Sequence, residues 1–223
     1  MSRFLLLALL VLVSLNFRLQ AAAPPGPLPS QIQQWIGQLG DDDFRTRDRA
    51  TRALRAAGER AEAALEAVAN SEDAEVKRRA LSILNKFRVG IYPDTPDSVI
   101  ELINKYGSVS GSEKGPIVQS LIESGAPGIR ALTKLVRAEK DALVRKDVFA
   151  AIGPSVVRSA PALIDAGRYD TVEQLLELAT EGDAQAGATH LAAFHLLRGT
   201  LKSKIAEYEA RAKKNPPGKA QHE

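Results

Sequence analysis

Few residues in the chain have the types and spacing that chemistry needs, and each set falls short of its required geometry. The three histidines are His190, His195 and His222. On a helix His190 and His195 point about 140° apart, so they do not converge on one ion, and they read as surface or core-edge histidines. No HExxH pair occurs. Asp41, Asp42 and Asp43 could attract a hard cation, but calcium takes about six to eight oxygens, usually from a longer loop. Three carboxylates ahead of a helix are better explained as capping and dipole groups. The stretch GSVSGSEKG at 107–115 is glycine-rich. A phosphate loop needs GK followed by Ser or Thr, whereas Lys114 is followed by Gly115 and Pro116. Val109 stands where a GxSxG nucleophile would be, so this stretch reads as a helix–helix turn. Cys is absent, which excludes thiol nucleophiles, Cys-type zinc and iron–sulfur sites, disulfides and a lipoprotein anchor. No catalytic residue, metal ligand or cofactor follows from any of these sets.

Charge gives a second class of candidate. Arg45, Arg49 and Arg52 can share one helix face, and Lys77, Arg78 and Arg79 follow, a potential anion-binding stripe. Residues 42–87 hold ten basic and nine acidic side chains, so the field largely cancels and a solvated, salt-bridged face is expected. Residues 198–223 have seven basic and three acidic side chains and end in NPPGKAQHE. That end reads as an unstructured tail that could touch anionic surfaces.

All these residues must be positioned by helices. Of 223 residues 44% are hydrophobic and only 5% aromatic, with Trp35 the single tryptophan. Ala, Leu, Ile and Val must therefore fill the core, which suits close-packed helices. Ile32, Trp35, Ile36 and Leu39 follow i, i+3, i+4, i+7 behind a Ser30 cap, with Trp35 expected in the core. Asp43 caps a helix ended by Gly58, a third spans about 59–69, and Ser71 or Asp73 caps a fourth. The stretch 88–96 is the clearest break. Further helices are expected at 97–106, 113–124, 127–139, 142–152, 155–165, 169–180, 184–198 and 201–213. No period of two is sustained.

Repeats organise these helices. DFRTRDRATRAL (43–54) lies over DAEVKRRALSIL (73–84) at an offset of 30, and DALVRKDVFAAI (141–152) repeats the template. Asp caps the helix, a basic residue sits one turn on, and the inner apolar residues come seven and eleven positions after the cap. One such unit cannot bury its apolar face alone, but stacked units can. This pattern resembles HEAT-type (armadillo-type) repeats at 30–88 and 97–153, although 97–124 lacks the Asp–Arg signature. The resemblance implies a structural hydrogen-bonded ladder of Asp43, Arg47, Asp73, Lys77, Asp141 and Arg145, with Lys77 lacking the planar fork of arginine. From Pro154 the register changes. Residues 162–179 align with 194–211 at an offset of 32, placing Gly167 over Gly199 and Leu176 over Tyr208, and Pro216 follows. Residues 154–214 thus resemble a degenerate pair of tetratricopeptide repeats. Both resemblances imply an all-α fold, a right-handed α-solenoid of antiparallel helix pairs.

Residues 1–23 read as a secretory signal: Arg3, the apolar run Phe4–Leu15, and a small-residue exit at Ala21–Ala23. The run is too short for a membrane span of about 20 apolar residues. Residues 24–29 form a Pro-rich tether. Cleavage would remove two of the 30 basic residues, Arg3 and Arg18, and none of the 27 acidic ones, leaving 28 against 27. An exported, periplasmic or extracellular chain so balanced is not expected to bind nucleic acid and has no stable membrane span once the signal is removed. The expected function is that of a non-enzymatic scaffold or adaptor binding a protein or peptide along a concave surface. Two alternatives remain: an enzyme or small-ligand-binding protein with a groove site not visible as a motif, and an N-terminal assembly part of a larger envelope complex. The oligomeric state and partner are not legible.

Overall fold

A computed structural model describes residues 26–214, so the expected signal, the first two residues of the tether, His222 and the tail at 215–223 lie outside the described residues. The described residues are all-α, with eleven α-helices and no strand. Helix α1 spans Pro29–Gly37 and runs into a 3-10 turn at Gln38–Gly40. It starts one residue ahead of the expected Ser30 cap, because Pro29 at the first helical position lacks only an N–H that would go unpaired there. Gln31 closes the start by accepting the Leu28 N–H at 2.9 Å.

Helices α2 (Phe44–Ala57), α3 (Glu59–Ala67) and α4 (Ala74–Phe87) follow. With α1 they enclose one apolar core, in which Leu39, Leu54, Leu65, Ile83 and Leu84 are fully buried. Trp35 is half-buried against the edge of this core. Helices α5 (Asp97–Ser108), α6 (Lys114–Glu123), α7 (Ala126–Ala138), α8 (Ala142–Asp165), α9 (Tyr169–Gly182), α10 (Ala184–Leu197) and α11 (Leu201–Lys214) follow, with a 3-10 turn at Gly111–Glu113. A second, larger core runs from Val99 to Phe194 and centres on Leu121, Ile122, Leu132, Ile152 and Leu175.

Substantial contacts between α-helices join neighbours or next-but-one helices in chain order, and the 3-10 turns reach one element further, Gln38–Gly40 to α4 and Gly111–Glu113 to α8. Next-but-one helices touch in two rows, α2–α4 and α6–α8 in one, and α1–α3, α5–α7 and α7–α9 in the other.

Two features depart from the helix plan read in the sequence. The segments expected as separate helices at 142–152 and 155–165 are one continuous helix, α8, which contains Pro154 and Pro161. Each proline removes a backbone donor that would have served the carbonyl four residues earlier. Both prolines and the residues at those carbonyls, Ala150 and Val157, face solvent, so water replaces the missing donors and the helix continues. The expected break at 88–96 is instead a packed connector in which Gly90, Tyr92 and Thr95 are buried. Thr95 Oγ1 accepts the Tyr92 N–H at 2.9 Å, and the Tyr92 ring stacks on Phe87 at 4.7 Å. Gly90 has φ +84°, and a Cβ there would stand 2.4 Å from Ala131 Cα. Only glycine lets the connector press against α7 in this conformation.

Candidate binding face

The six residues of the expected ladder divide into two groups. All three aspartates cap their own helices. Asp43 accepts the Arg45 and Thr46 N–H groups at 3.2 and 3.1 Å. Asp73 accepts those of Glu75 and Val76 at 2.8 and 3.2 Å, and Asp141 those of Leu143 and Val144 at 2.8 and 3.2 Å. The basic residues differ from one another. Arg47 Nη1 donates to the carbonyls of Asp41 and Asp42 at 2.6 and 2.9 Å, and its Nε lies 3.4 Å from Glu75 on the next capped helix. Lys77 and Arg145 are exposed and form no ion pair among the described residues. Thus Asp41 and Asp42 serve through their carbonyls, as a socket for Arg47. The link from α2 to α4 also runs through Arg79, which donates to Thr51 Oγ1 at 2.9 Å and pairs with Glu75 at 2.6 Å. Hydrogen bonds from Arg78 and Arg79 hold the Glu75 carboxyl below the usual carboxylate range, and the Arg45 N–H does the same for Asp43.

A different face gathers the densest set of polar side chains. On α7, Arg130, Lys134 and Arg137 are spaced four and three apart and share one side of the helix. On α9, Glu173, Glu177 and Glu181 recur every four residues. These rows, flanked by Glu59 and Glu62 of α3 and by Lys204, Tyr208 and Arg211 of α11, alternate in sign from helix to helix. Lys134 pairs with Glu62 at 2.6 Å, Arg137 pairs with Glu181, and Lys204 pairs with Glu173 at 2.6 Å and Glu207 at 3.0 Å. The Tyr208 hydroxyl donates to Glu177 at 3.1 Å. Two clefts open on this face. One, of about 310 Å³, lies among α3, α7 and α9. The other, of about 440 Å³, lies among α9, α10 and α11. Arg137 and Glu177 line both, so the clefts adjoin.

The titratable groups here are driven toward their charged or paired states. Hydrogen bonds from Glu173 and Glu207 push the Lys204 ammonium well above its ordinary value. Glu181 raises Arg137, Lys204 lowers Glu207, and burial with Glu177 raises the Tyr208 phenol. Acid–base catalysis needs a pKa brought near the working pH, and each of these shifts moves its group away from it.

At its α3 end the face becomes the junction between the two cores. Glu62 accepts both the Tyr92 hydroxyl, at 2.9 Å, and the Lys134 ammonium, at 2.6 Å. Arg130 lies 4.6 Å over the Tyr92 ring and donates to Asp94 at 2.7 Å. Burial, reinforced by Glu62, pushes the Tyr92 phenol up.

Sequence reasoning missed these rows because each helix shows only its own charge; the alternation exists only between helices. The i, i+4, i+7 basic spacing of α7 and the i, i+4, i+8 acidic spacing of α9 were the available signals. It also missed Lys114, which turns inward at 8% exposure, pairs with Glu139 at 2.9 Å and sits 4.2 Å over the Tyr106 ring. Burial pushes the Tyr106 phenol up to about 12, and Lys114 holds Glu139 below the carboxylate range.

Of the histidines expected at the surface or the core edge, His190 is exposed and His195 is buried at 2% exposure. Its Nδ1 lies 3.0 Å from Thr200 Oγ1, and its Nε2 faces Glu173 at 3.9 Å with no hydrogen-bond partner. The Thr200 hydroxyl and the edge of Phe194 fix the ring. No group of three or more potential metal ligands converges among the described residues. Comparison of the chain with protein-family models, with curated proteins and with solved structures gave no match.

Proposed function

We propose that the chain is an exported, non-enzymatic helical-repeat scaffold, HEAT-like and then tetratricopeptide-like, that binds another protein or peptide along the charge-striped face of α3, α7, α9 and α11. The solenoid reading is supported by the two rows of next-but-one contacts, the pattern expected when each unit leans only on its neighbours. The observation that carries the binding role is that two clefts adjoin on one charge-striped face, sharing Arg137 and Glu177. A polypeptide crossing the helices meets basic and acidic rows in turn. Half-exposed ion pairs of this kind contribute less than about 1 kcal/mol each, so a partner's charges replace them at small cost. The shifts of Lys204, Arg137 and Tyr208 toward paired states favour recognition over acid–base chemistry on this face. Export rests on the apolar run Phe4–Leu15.

The test is capture of envelope polypeptides by the immobilised chain from residue 24 onward. One species should be retained, be released by salt, and be lost with Lys134→Glu/Arg137→Glu, while the variant's circular dichroism stays unchanged. Retention of nothing reproducible, or equal retention by the variant, would overturn the proposal.

A further inference from the structure

A second surface, on the other row of helices, has a different character. Helix α8 buries one side in the second core, through Val148, Ile152 and Val156. Its opposite side is apolar as well. Ala150, Gly153, Val157, Pro161 and Ile164 recur at spacings of three, four, four and three, and all are exposed. Leu143, 74% exposed, lies on the same line one turn pair earlier, with the exposed Lys146 between it and Ala150. Among the described residues α8 alone is long and apolar enough to cross a membrane, yet only 22% of its most apolar 18-residue window is buried. A helix apolar on all sides is normally covered on all sides. Arg145, Lys146, Asp147 and Arg158 lie along it, which suits a protein cover better than a lipid interior.

Ala150, Gly153 and Val157 of the stripe form part of one wall of a cleft of about 610 Å³. Helix α10 supplies part of the other wall through Ala186 and His190, and the same side of α10 continues to Ala193 and to Leu197, which is 87% exposed. Phe149 packs at the floor beside Gly182, where a Cβ would stand 2.6 Å from the ring. The cleft's rims differ in sign: Arg145 and Lys146 on the α8 side, and on the side of the α9–α10 turn Glu181, which also pairs with Arg137, and Asp183, which caps α10. Arg145 and Lys146 form no ion pair among the described residues.

We propose that this face pairs with the same face of a second copy of the chain. Under a two-fold axis a basic rim meets an acidic rim twice, and apolar stripe covers apolar stripe, so the surface is self-complementary. The exposed sides of α8 and α10 run about 36 and 21 Å, and at about 10 Å wide they offer on the order of 600 Å² per copy. That stands at the lower edge of what a specific interface needs, about 1,200 Å² in total, as expected of a weak, reversible pair. The surface meets the charge-striped face at Glu181, which lines clefts of both and pairs with Arg137.

Sedimentation of the chain from residue 24 onward should show the mass rising from one copy toward two between about 1 and about 200 µM. Val157→Glu/Leu197→Glu, both at exposed positions, should stay at one copy throughout with unchanged circular dichroism. Arg145→Glu/Lys146→Glu, which makes both rims acidic, should weaken pairing at least tenfold at low salt and recover part of it at high salt. A wild-type chain that stays single at every concentration overturns the proposal, as does undiminished pairing of either variant. Flotation of the wild-type chain with phosphatidylcholine vesicles, lost in Val157→Glu/Leu197→Glu while the mass stays at one copy, would overturn it in favour of a lipid surface.

Discussion

Helices α2, α4 and α8 start from the same short template and end in different environments. Each is capped by an aspartate accepting two backbone N–H groups at its own start. In α2 the arginine four residues on is tied to two loop carbonyls and lies within 3.4 Å of Glu75 on α4. In α8 the equivalent Arg145 stands exposed at the rim of an apolar cleft. The outer sides of α2 and α4 are charged, whereas the outer side of α8 is a stripe of Ala, Gly, Val, Pro and Ile. A local capping signal therefore reports where a helix begins, while the role of its neighbouring basic residue depends on whether another unit stands beside it.

The junction between the two cores offers the sharpest way to break this comparison. Gly90→Ala would force a Cβ into Ala131 and a side chain into left-handed backbone. The expected loss is about 3 kcal/mol. Trp35, the single tryptophan, reports on the first core alone. In the wild-type chain its unfolding transition in urea should coincide with that of circular dichroism, and in Gly90→Ala the two should separate. Coincident transitions at wild-type stability in the variant would show that the connector does not couple the cores.

Lys114→Ala strands Glu139 among buried neighbours and should cost about 2–3 kcal/mol in urea unfolding, with the second core affected first. A loss below about 0.5 kcal/mol would mean that the pair is dispensable.

The capped helices sharpen the comparison directly. Asp73→Ala and Asp141→Ala should each cost about 1 kcal/mol, since the caps are alike. Arg47→Ala should cost about 1–2 kcal/mol by freeing the Asp41 and Asp42 carbonyls, and Arg145→Ala no more than about 0.5 kcal/mol. Equal effects of the two arginine substitutions in thermal melts would remove the distinction drawn between α2 and α8.

The smallest effect is expected from pH. Glu139 is held low by Lys114, Glu75 by Arg78 and Arg79, and Asp43 by the Arg45 N–H. Carboxyls lowered in the folded state stabilise it above their unfolded values, near pH about 4, and that contribution is lost as pH falls through the lower folded values. The melting temperature should be flat from about pH 5 to 7 and fall below about pH 4, less steeply in Lys114→Ala. A decline already complete at pH about 5.5 would point to groups other than these carboxylates.

Most of the helix plan was legible in the residues. Asp43, Asp73 and Asp141 announced three helix starts, and Gly58, Gly125, Gly167 and Gly199, all at positive φ, sit at turns between helices. The misses share a physical cause. Pro154 reads as a helix stop because the sequence does not reveal which side of a helix faces water. The 88–96 connector reads as a loose break because the burial of Tyr92 depends on Phe87, Glu62 and Arg130 closing on it from three helices. The candidate face lies still further from the sequence, since alternation of charge between α7, α9 and α11 is a property of their arrangement.

Arg137 belongs to both clefts of that face and has one principal carboxylate partner, Glu181. Two guests seated at opposite ends would draw on a single guanidinium. Whichever arrives first alters the affinity left for the second, and the second alters the first by the same factor. A long guest lying across both ends would meet no such conflict, and the face would thereby select for reach.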